Sequence, residues 1–262
     1  MQDIYLNNVS FSFDNKFSDS KFRIDDISLT IGEREFCTIV GCNGSGKTTL
    51  LRLISGYLSP SKGEILINNK DLKNYSREEL SKIISFVQQI NPVVFPYSVF
   101  EIVAMGRSPH LSSSHFENSN DVDVINKYLE IFELTQLKNK NIQQISGGEL
   151  QRAFICRALV QEPKILIMDE PVSHLDIKHQ LTSYKLLKDF SKELNITIIL
   201  VSHDLNLTLR YSDRVILIKD GRIISNDVPE KVLTTENIKM VFDVNANYFF
   251  DRNKNKYLHI SE

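Results

Sequence analysis

Apolar and polar positions alternate at the start of the chain. Ile4, Leu6 and Val9 precede Phe11 and Phe13, and Ile27, Leu29 and Ile31 follow. A period of two predicts short antiparallel strands with one buried face. The pattern then changes. Phe36-Cys37-Thr38-Ile39-Val40 is a continuous run of the kind that a parallel sheet covers on both faces. A glycine-rich turn follows, and Leu50, Leu51, Ile54 and Leu58 recur at helical spacing until Pro60, Ser61 and Gly63 break the pattern. Glu64–Asn68 reads as another short strand. From Ser76 to about Val160 the pattern is mainly helical. It is interrupted by an irregular stretch over Gln89–Ser98, with Pro92 and Pro96, and by a polar loop over Arg107–Asn120, expected to be the most mobile part. Ile165–Met168, Thr197–Val201 and Arg214–Ile218 are further buried strands, with a helix over roughly Ile177–Leu194 between the first two. Strands alternating with helices imply parallel βαβ units, so the helical middle reads as an insertion into an α/β core.

The chain has 262 residues, enough for a sizeable core. Apolar residues make up 42% and charged residues 24%, as in ordinary globular proteins. A formal net charge of −2 argues against a nucleic-acid binder with a basic face. No run reaches the ~18 apolar residues of a membrane helix. The start, Met1-Gln2-Asp3-Ile4, lacks the basic and apolar regions of a secretory signal, so a cytosolic chain is expected. Cys37, Cys42 and Cys156 have no metal-ligand spacing and are expected to be reduced thiols.

The chemistry begins in the glycine-rich turn. Gly41-Cys42-Asn43-Gly44-Ser45-Gly46-Lys47-Thr48 matches G-x-x-x-x-G-K-[ST], the Walker A pattern, after a predicted strand and before a predicted helix. Such a turn curls its backbone N–H groups toward phosphate oxygens, and the helix start adds the positive end of its dipole. Lys47 suits the β- and γ-phosphates of ATP, and the Thr48 hydroxyl suits Mg2+. The candidate nucleotide-binding residues are therefore Gly41, Asn43, Gly44, Ser45, Gly46, Lys47, Thr48 and the adjoining Thr49. Cys42 lies in the same loop, near a lysine and a helix start that favour a thiolate. It is expected either to be alkylated and protected by ATP, or to be turned inward and inert.

Ile165–Met168 delivers Asp169 and Glu170 to the C-terminal end of a buried strand, where open α/β sheets bind their ligands. Asp169 fits the metal-holding Walker B carboxylate, and Glu170 a general base for the attacking water. His203 ends the strand Thr197–Val201, at the same edge of a parallel sheet, within reach of a γ-phosphate.

Ile145-Ser146-Gly147-Gly148-Glu149-Leu150-Gln151-Arg152 decides the family. It resembles the Leu-Ser-Gly-Gly-Gln signature of ABC ATPases, shortly upstream of Walker B as that family has it. Ser146 and Glu149 also form a capping box, and a capped helix start after two glycines is an anion site. The resemblance covers almost the whole chain and implies further roles. Phe13 matches the aromatic residue that stacks on adenine, and Gln89 the Q-loop glutamine at Mg2+ and water, with Gln88 where the family often has proline. Ser173-His174-Leu175-Asp176 matches the D-loop, and His203 the switch histidine. Ala104–His110 and His203-Asp204-Leu205-Asn206 are similar to the ATPase subunits of importers for iron–siderophore complexes, haem and vitamin B12, as is a short C-terminal extension whose Tyr248-Phe249-Phe250 run is expected to pack.

The resemblance implies a RecA-like P-loop α/β core over residues 1–240, with an N-terminal antiparallel β subdomain, a helical subdomain inserted at about 90–160, and an extension over 241–262. It implies a homodimer that traps ATP and Mg2+. Each site then joins Lys47, Thr48, Gln89, Asp169, Glu170 and His203 of one chain to Ser146–Glu149 of the other, with Asp176 at the interface. Membrane permease subunits, and through them an extracytoplasmic substrate-binding protein, are the implied partners. The chain would lie peripherally at the cytoplasmic face of the membrane. Importers of zinc, manganese or molybdate have similar ATPases. A soluble ABC ATPase acting on DNA, ribosomes or iron–sulfur assembly, and a P-loop kinase, are the other readings of the loop.

Overall fold

The computed structural model describes residues 2–13, 23–88, 95–110, 119–172, 175–252 and 255–261. The chain opens with strands β1 (Gln2–Ser12), β2 (Arg23–Gly32) and β3 (Phe36–Val40), then helix α1 (Lys47–Ile54) and strands β4 (Lys62–Ile67) and β5 (Lys70–Asp71). Next come α2 (Arg77–Ile83), β6 (Ile84–Val87), α3 (Val99–Ala104), α4 (Ser119–Ile131), α5 (Gly147–Leu159) and β7 (Ile165–Asp169). The last third holds α6 (Ile177–Glu193), β8 (Thr197–Val201), α7 (Leu205–Tyr211), β9 (Arg214–Lys219) and β10 (Arg222–Asp227). It ends with α8 (Pro229–Val232), α9 (Thr235–Phe242) and a hairpin of β11 (Asn245–Phe250) and β12 (Lys256–Ser261). Two compact units result: Met1–Tyr75 with Tyr184–Glu262, and Ser76–Ser183.

In the first unit, the alternating start of the chain becomes an antiparallel sheet in the order β2-β1-β4-β5. Ile4 pairs with Ile31 on one side and Ile67 on the other, and all three are fully buried. Elsewhere in the unit, β3 lies between β8 and β9, parallel to both, and β10 adds antiparallel to β9. β3 and β8 are buried along their whole length, which is why their sequences show no alternation. In the second unit, β6 and β7 pair in parallel, with Phe86 opposite Ile167. Three of its helices start with the same device. Ser76, Ser98 and Ser146 each cap the amide of a glutamate three residues on, and that glutamate caps the serine's own amide.

The α/β fold class read from the sequence holds, with an antiparallel β layer ahead of the parallel strands. Several local readings change. The first helix stops at Ile54, so Leu58 lies outside it. The helical middle contains β6, because a short apolar run carries no period that separates strand from helix. Arg107–His110 is a 3-10 turn rather than loose chain, and Arg107 is buried; residues 111–118 lie outside the described residues. β10, which the sequence reading did not include, follows Asp220-Gly221, whose positive φ values of 49° and 76° are those of a tight hairpin turn. Of the aromatic run expected to pack, Tyr248 is half-buried, while Phe249 and Phe250 are exposed and Phe249 stacks on Tyr257 across the hairpin.

Candidate functional site

β3 runs directly into the phosphate loop. A Cβ on Gly41 would sit 2.2 Å from the Ile218 carbonyl oxygen of β9, so the loop leaves the sheet through a gap that only glycine fits. At the far end Gly46 has φ 111° and turns the chain into α1. It brings no side-chain cap to the first amides of that helix. Ser45 Oγ is buried and has no hydrogen-bond partner among the described residues. A Cβ on Gly44 would meet nothing within 4 Å. Lys47 Nζ donates to the carbonyl oxygens of Gly41 and Cys42, both at 2.9 Å, which sets its charge over the loop. A buried hydroxyl left without a partner costs about 1–3 kcal/mol, and a phosphate oxygen is the partner this cradle suits. Around it Thr49 is buried, Thr48 half-buried and Asn43 exposed.

The same unit holds His203 and Phe13. Ile39 of β3 pairs with Val201 of β8, and the Ser202 amide donates to the Ile39 carbonyl at 3.2 Å. The loop at Gly41 and the exposed His203 therefore leave neighbouring parallel strands at the same end. Phe13, at the end of the antiparallel sheet, is 42% exposed and meets Phe11 edge-on at 4.8 Å, which leaves a ring surface open to solvent.

In the second unit Asp169 is the last residue of β7 and is buried. Glu170, half-buried, follows in the left-handed region at φ 50°. A glutamate there costs of order 1 kcal/mol, and such strain gathers at functional turns. Asp176 is exposed and caps α6: Oδ1 accepts from the His179 amide at 2.9 Å, and His179 Nδ1 lies 2.9 Å from both carboxylate oxygens. These bonds hold the Asp176 carboxyl below its ordinary range, the backbone one foremost. Ser173 and His174 lie outside the described residues. So does Gln89; its neighbour Gln88 is exposed just past β6.

The signature segment starts α5. Glu149 Oε2 accepts from the Ser146 amide at 2.7 Å and from the Ser146 hydroxyl at 2.8 Å, and the Glu149 amide donates back to Ser146 Oγ at 3.3 Å. The hydrogen bonds from Ser146, that of its amide first, lower the Glu149 pKa. The carboxylate is thus engaged within its own helix turn. A Cβ on Gly147 would meet nothing, and one on Gly148 would come no closer than 3.4 Å to Leu175, so this end of the helix is open.

Two groups of residues have roles that the sequence did not disclose. Arg107, expected to begin a mobile polar loop, is buried. Its Nε donates to Asp121 at 2.8 Å and its Nη1 to the Val160 carbonyl and to Glu162. A polar residue in a polar stretch gives no signal of burial. Cys42 takes the inward of its two expected orientations, and its undisclosed partner is the Val241 carbonyl of α9, to which Sγ donates at 2.8 Å. No pattern in the sequence connects positions so far apart.

The family description "ABC transporter" matches residues 24–173. The hemin import ATP-binding protein HmuV of Escherichia coli O157:H7 is 38% identical over 224 residues, covering 83% of this chain and 85% of that protein. Among solved structures, a chain of a transporter described as metal-chelate type, in an inward-facing conformation, superposes with a TM-score of 0.85 at 26% identity, covering 99% of this chain and 97% of that one. An ATP-binding cassette solved as a dimer in a post-hydrolysis state with ADP and Pi gives 0.76 at 29% identity, with coverages of 86% and 98%. The chain belongs to the ABC transporter family, as one of its ATP-hydrolysing subunits.

Proposed function

We propose that this chain drives uptake of an iron complex, a siderophore or haem, or of vitamin B12, through a separate membrane permease. The phosphate cradle supports the ATP part of the reading: a buried Ser45 hydroxyl, a helix start without a side-chain cap and the Lys47 ammonium lie on one loop. The cargo class is supported by the likeness to a hemin import subunit and to a metal-chelate type transporter. Among the described residues no helix is long and apolar enough to cross a membrane, which fits a peripheral subunit held at the cytoplasmic face by its permease.

Each residue then has a task. Lys47 and the loop amides neutralise the β- and γ-phosphates, and the Phe13 ring stacks on adenine. Thr48 and Asp169 offer the hard oxygen ligands that Mg2+ takes, with Gln89 as a further one. Bound there, Mg2+ would offset charge on the phosphate oxygens. Glu170 accepts a proton from water as its oxygen bonds to the γ-phosphorus; the bond to the β-phosphate oxygen breaks, and ADP leaves with that electron pair. His203 donates a hydrogen bond to the γ-phosphate. Ser146–Glu149 of a second copy closes the site from the other side, with Asp176 crossing between copies.

The permease contact is assigned to the stretch 89–110, in which Phe95 and Tyr97 are 61% and 36% exposed and meet edge-on at 5.9 Å. An exposed aromatic pair next to the Q-loop suits a docking surface. The test is co-expression with its permease and uptake into vesicles loaded with ATP. Haem, a ferric siderophore or cobalamin should enter only with ATP and an intact Glu170. Entry of zinc, manganese or molybdate instead would overturn the cargo reading, and failure to bind any permease would favour a soluble ABC ATPase.

A further inference from the structure

Two parts of the chain lie outside the ATP chemistry: the residues after His203 and the C-terminal tail. The structure fastens one to the other. Asn206, in the first turn of α7, donates from Nδ2 to the Leu258 carbonyl at 3.1 Å and accepts at Oδ1 from the Leu258 amide at 2.7 Å. Its amide group thus takes both hydrogen bonds of one β12 residue. The same turn is capped by Asp204, whose Oδ1 accepts from the Asn206 and Leu207 amides at 2.8 Å each, and the Asp204 amide donates to Ser202 Oγ at 3.0 Å. His203 therefore sits between a buried strand and a helix start pinned to the hairpin.

The other end of the tail grips the phosphate loop. Val241 of α9 accepts from Cys42, as above, and the next carbonyl back, that of Met240, accepts from Lys219 of β9 at 2.8 Å. Tyr248 of β11 donates to the Leu233 carbonyl, which joins the hairpin to α8 and α9. Val241, Ala246 and Leu258 pack in one buried cluster with Val40, the last residue before the loop, and with Leu205 of α7. The tail thus touches the phosphate loop and the helix that follows His203, each by a hydrogen bond and by apolar contact.

We propose that the C-terminal segment α8–α9–β11–β12 is a clamp that positions the nucleotide site, acting on the phosphate loop through Cys42 and on His203 through Asn206. The inference rests on the reading that Gly41–Thr48 binds ATP and that His203 faces its γ-phosphate. Glycine-rich loops have many conformations to lose, so an outside tether favours the one that receives phosphate. Cys42 and Asn206 are positioning residues, with no contact to the reacting atoms.

The test uses the full-length chain with four readouts: kcat and KM for MgATP, Tm, and the rate at which N-ethylmaleimide alkylates Cys42. Cys37 and Cys156 are fully buried, so alkylation reports Cys42. Asn206→Ala should lower kcat about three- to tenfold, the loss expected when hydrogen bonds that fix a group are removed. It should also speed alkylation of Cys42, which it does not touch. Cys42→Ala should raise KM several-fold, and Cys42→Ser, which keeps a donor for Val241, should restore it. A lower Tm with kcat, KM and alkylation unchanged would reduce Asn206 to a structural residue and overturn the clamp. Should Asn206→Ala not fold, equal KM values for the parent, Cys42→Ala and Cys42→Ser overturn it as well. Lack of any ATP turnover in the parent would sink the ATP reading instead, and the alkylation rates would still decide the clamp.

Discussion

Arg107→Met should destabilise the protein by about 3 kcal/mol, near the lower end of what breaking a buried ion pair costs. The arginine is fixed by three acceptors: Asp121 at 2.8 Å, the Val160 carbonyl at 2.6 Å and Glu162 at 2.7 Å. They are unequal. The Arg107 and Asp121 side chains are each 4% exposed, whereas Glu162 is 53% exposed and its attraction is screened. The buried pair therefore dominates, and removing the guanidinium takes the 2.8 Å partner from a carboxylate in a low-dielectric site. Methionine fills much of the volume of the arginine stem, which keeps the cavity contribution small. At ~2–4 °C per kcal/mol for a chain of this size, Tm should fall by about 6–12 °C. The discriminating measurement is the double variant Arg107→Met, Asp121→Leu. Replacing both charges by apolar groups should recover most of the loss, because the penalty comes from a buried carboxylate that has lost its guanidinium rather than from the absence of the pair. Calorimetry of the parent, both single variants and the double variant gives the coupling directly. If the double variant is as unstable as Arg107→Met, or if Arg107→Met melts within a degree of the parent, the reasoning is wrong.

Glu170→Gln should keep ATP binding and lose about 10²–10⁴-fold in turnover, measured as phosphate release, with a closed ATP-bound dimer accumulating on size exclusion; turnover near the parental rate refutes the base assignment. Phe95→Glu and Tyr97→Glu should leave Tm and ATP binding unchanged and abolish permease copurification; unfolding would make these residues core, and normal assembly would remove them from the interface. Glu101 and Glu149 both have pKa values lowered by hydrogen bonds from their capping serines. Their stabilisation is complete above the ordinary carboxylate pKa and is lost as pH falls through the lower folded values, so Tm should drop on acidification below about 4.5. Glu149→Gln should shrink that drop, and an unchanged acid limb would show that the capping box contributes nothing.

What the sequence discloses is what one strand, one turn or one helix start carries by itself. The phosphate loop is legible because its glycines and its lysine lie within a single turn, and their spacing is the geometry. The capping box at Ser146 and Glu149 is legible for the same reason. The buried strands β3, β7 and β8 are legible as runs without period, because both faces are covered. β6 fails that test. Its Ile84-Ser85-Phe86-Val87 is too short to show a period, and only its pairing with β7 makes it a strand. The burial of Arg107 fails it too, because the acceptors that make burial tolerable come from Asp121, Val160 and Glu162, on other elements.

The same distinction applies to Arg107 and Asn206, in the two strings that resemble one importer group. Each holds a polar residue that binds across the fold. Arg107 joins the turn after α3 to α4 and to the end of α5, and Asn206 joins α7 to the terminal hairpin. Both contacts fasten segments next to residues proposed to face ATP: α5 starts at the signature residues, and α7 starts just after His203. A side chain fixed by two or three hydrogen bonds resists displacement of the segments it joins. The two sites separate in an assay. Loosening Arg107 should weaken the response of the signature helix to a second copy, read as ATP-induced dimerisation. Loosening Asn206 should act within one chain, read as turnover at saturating ATP. If both variants fail in dimerisation alone, α7 is not held by the hairpin for the sake of His203, and the C-terminal segment has another purpose.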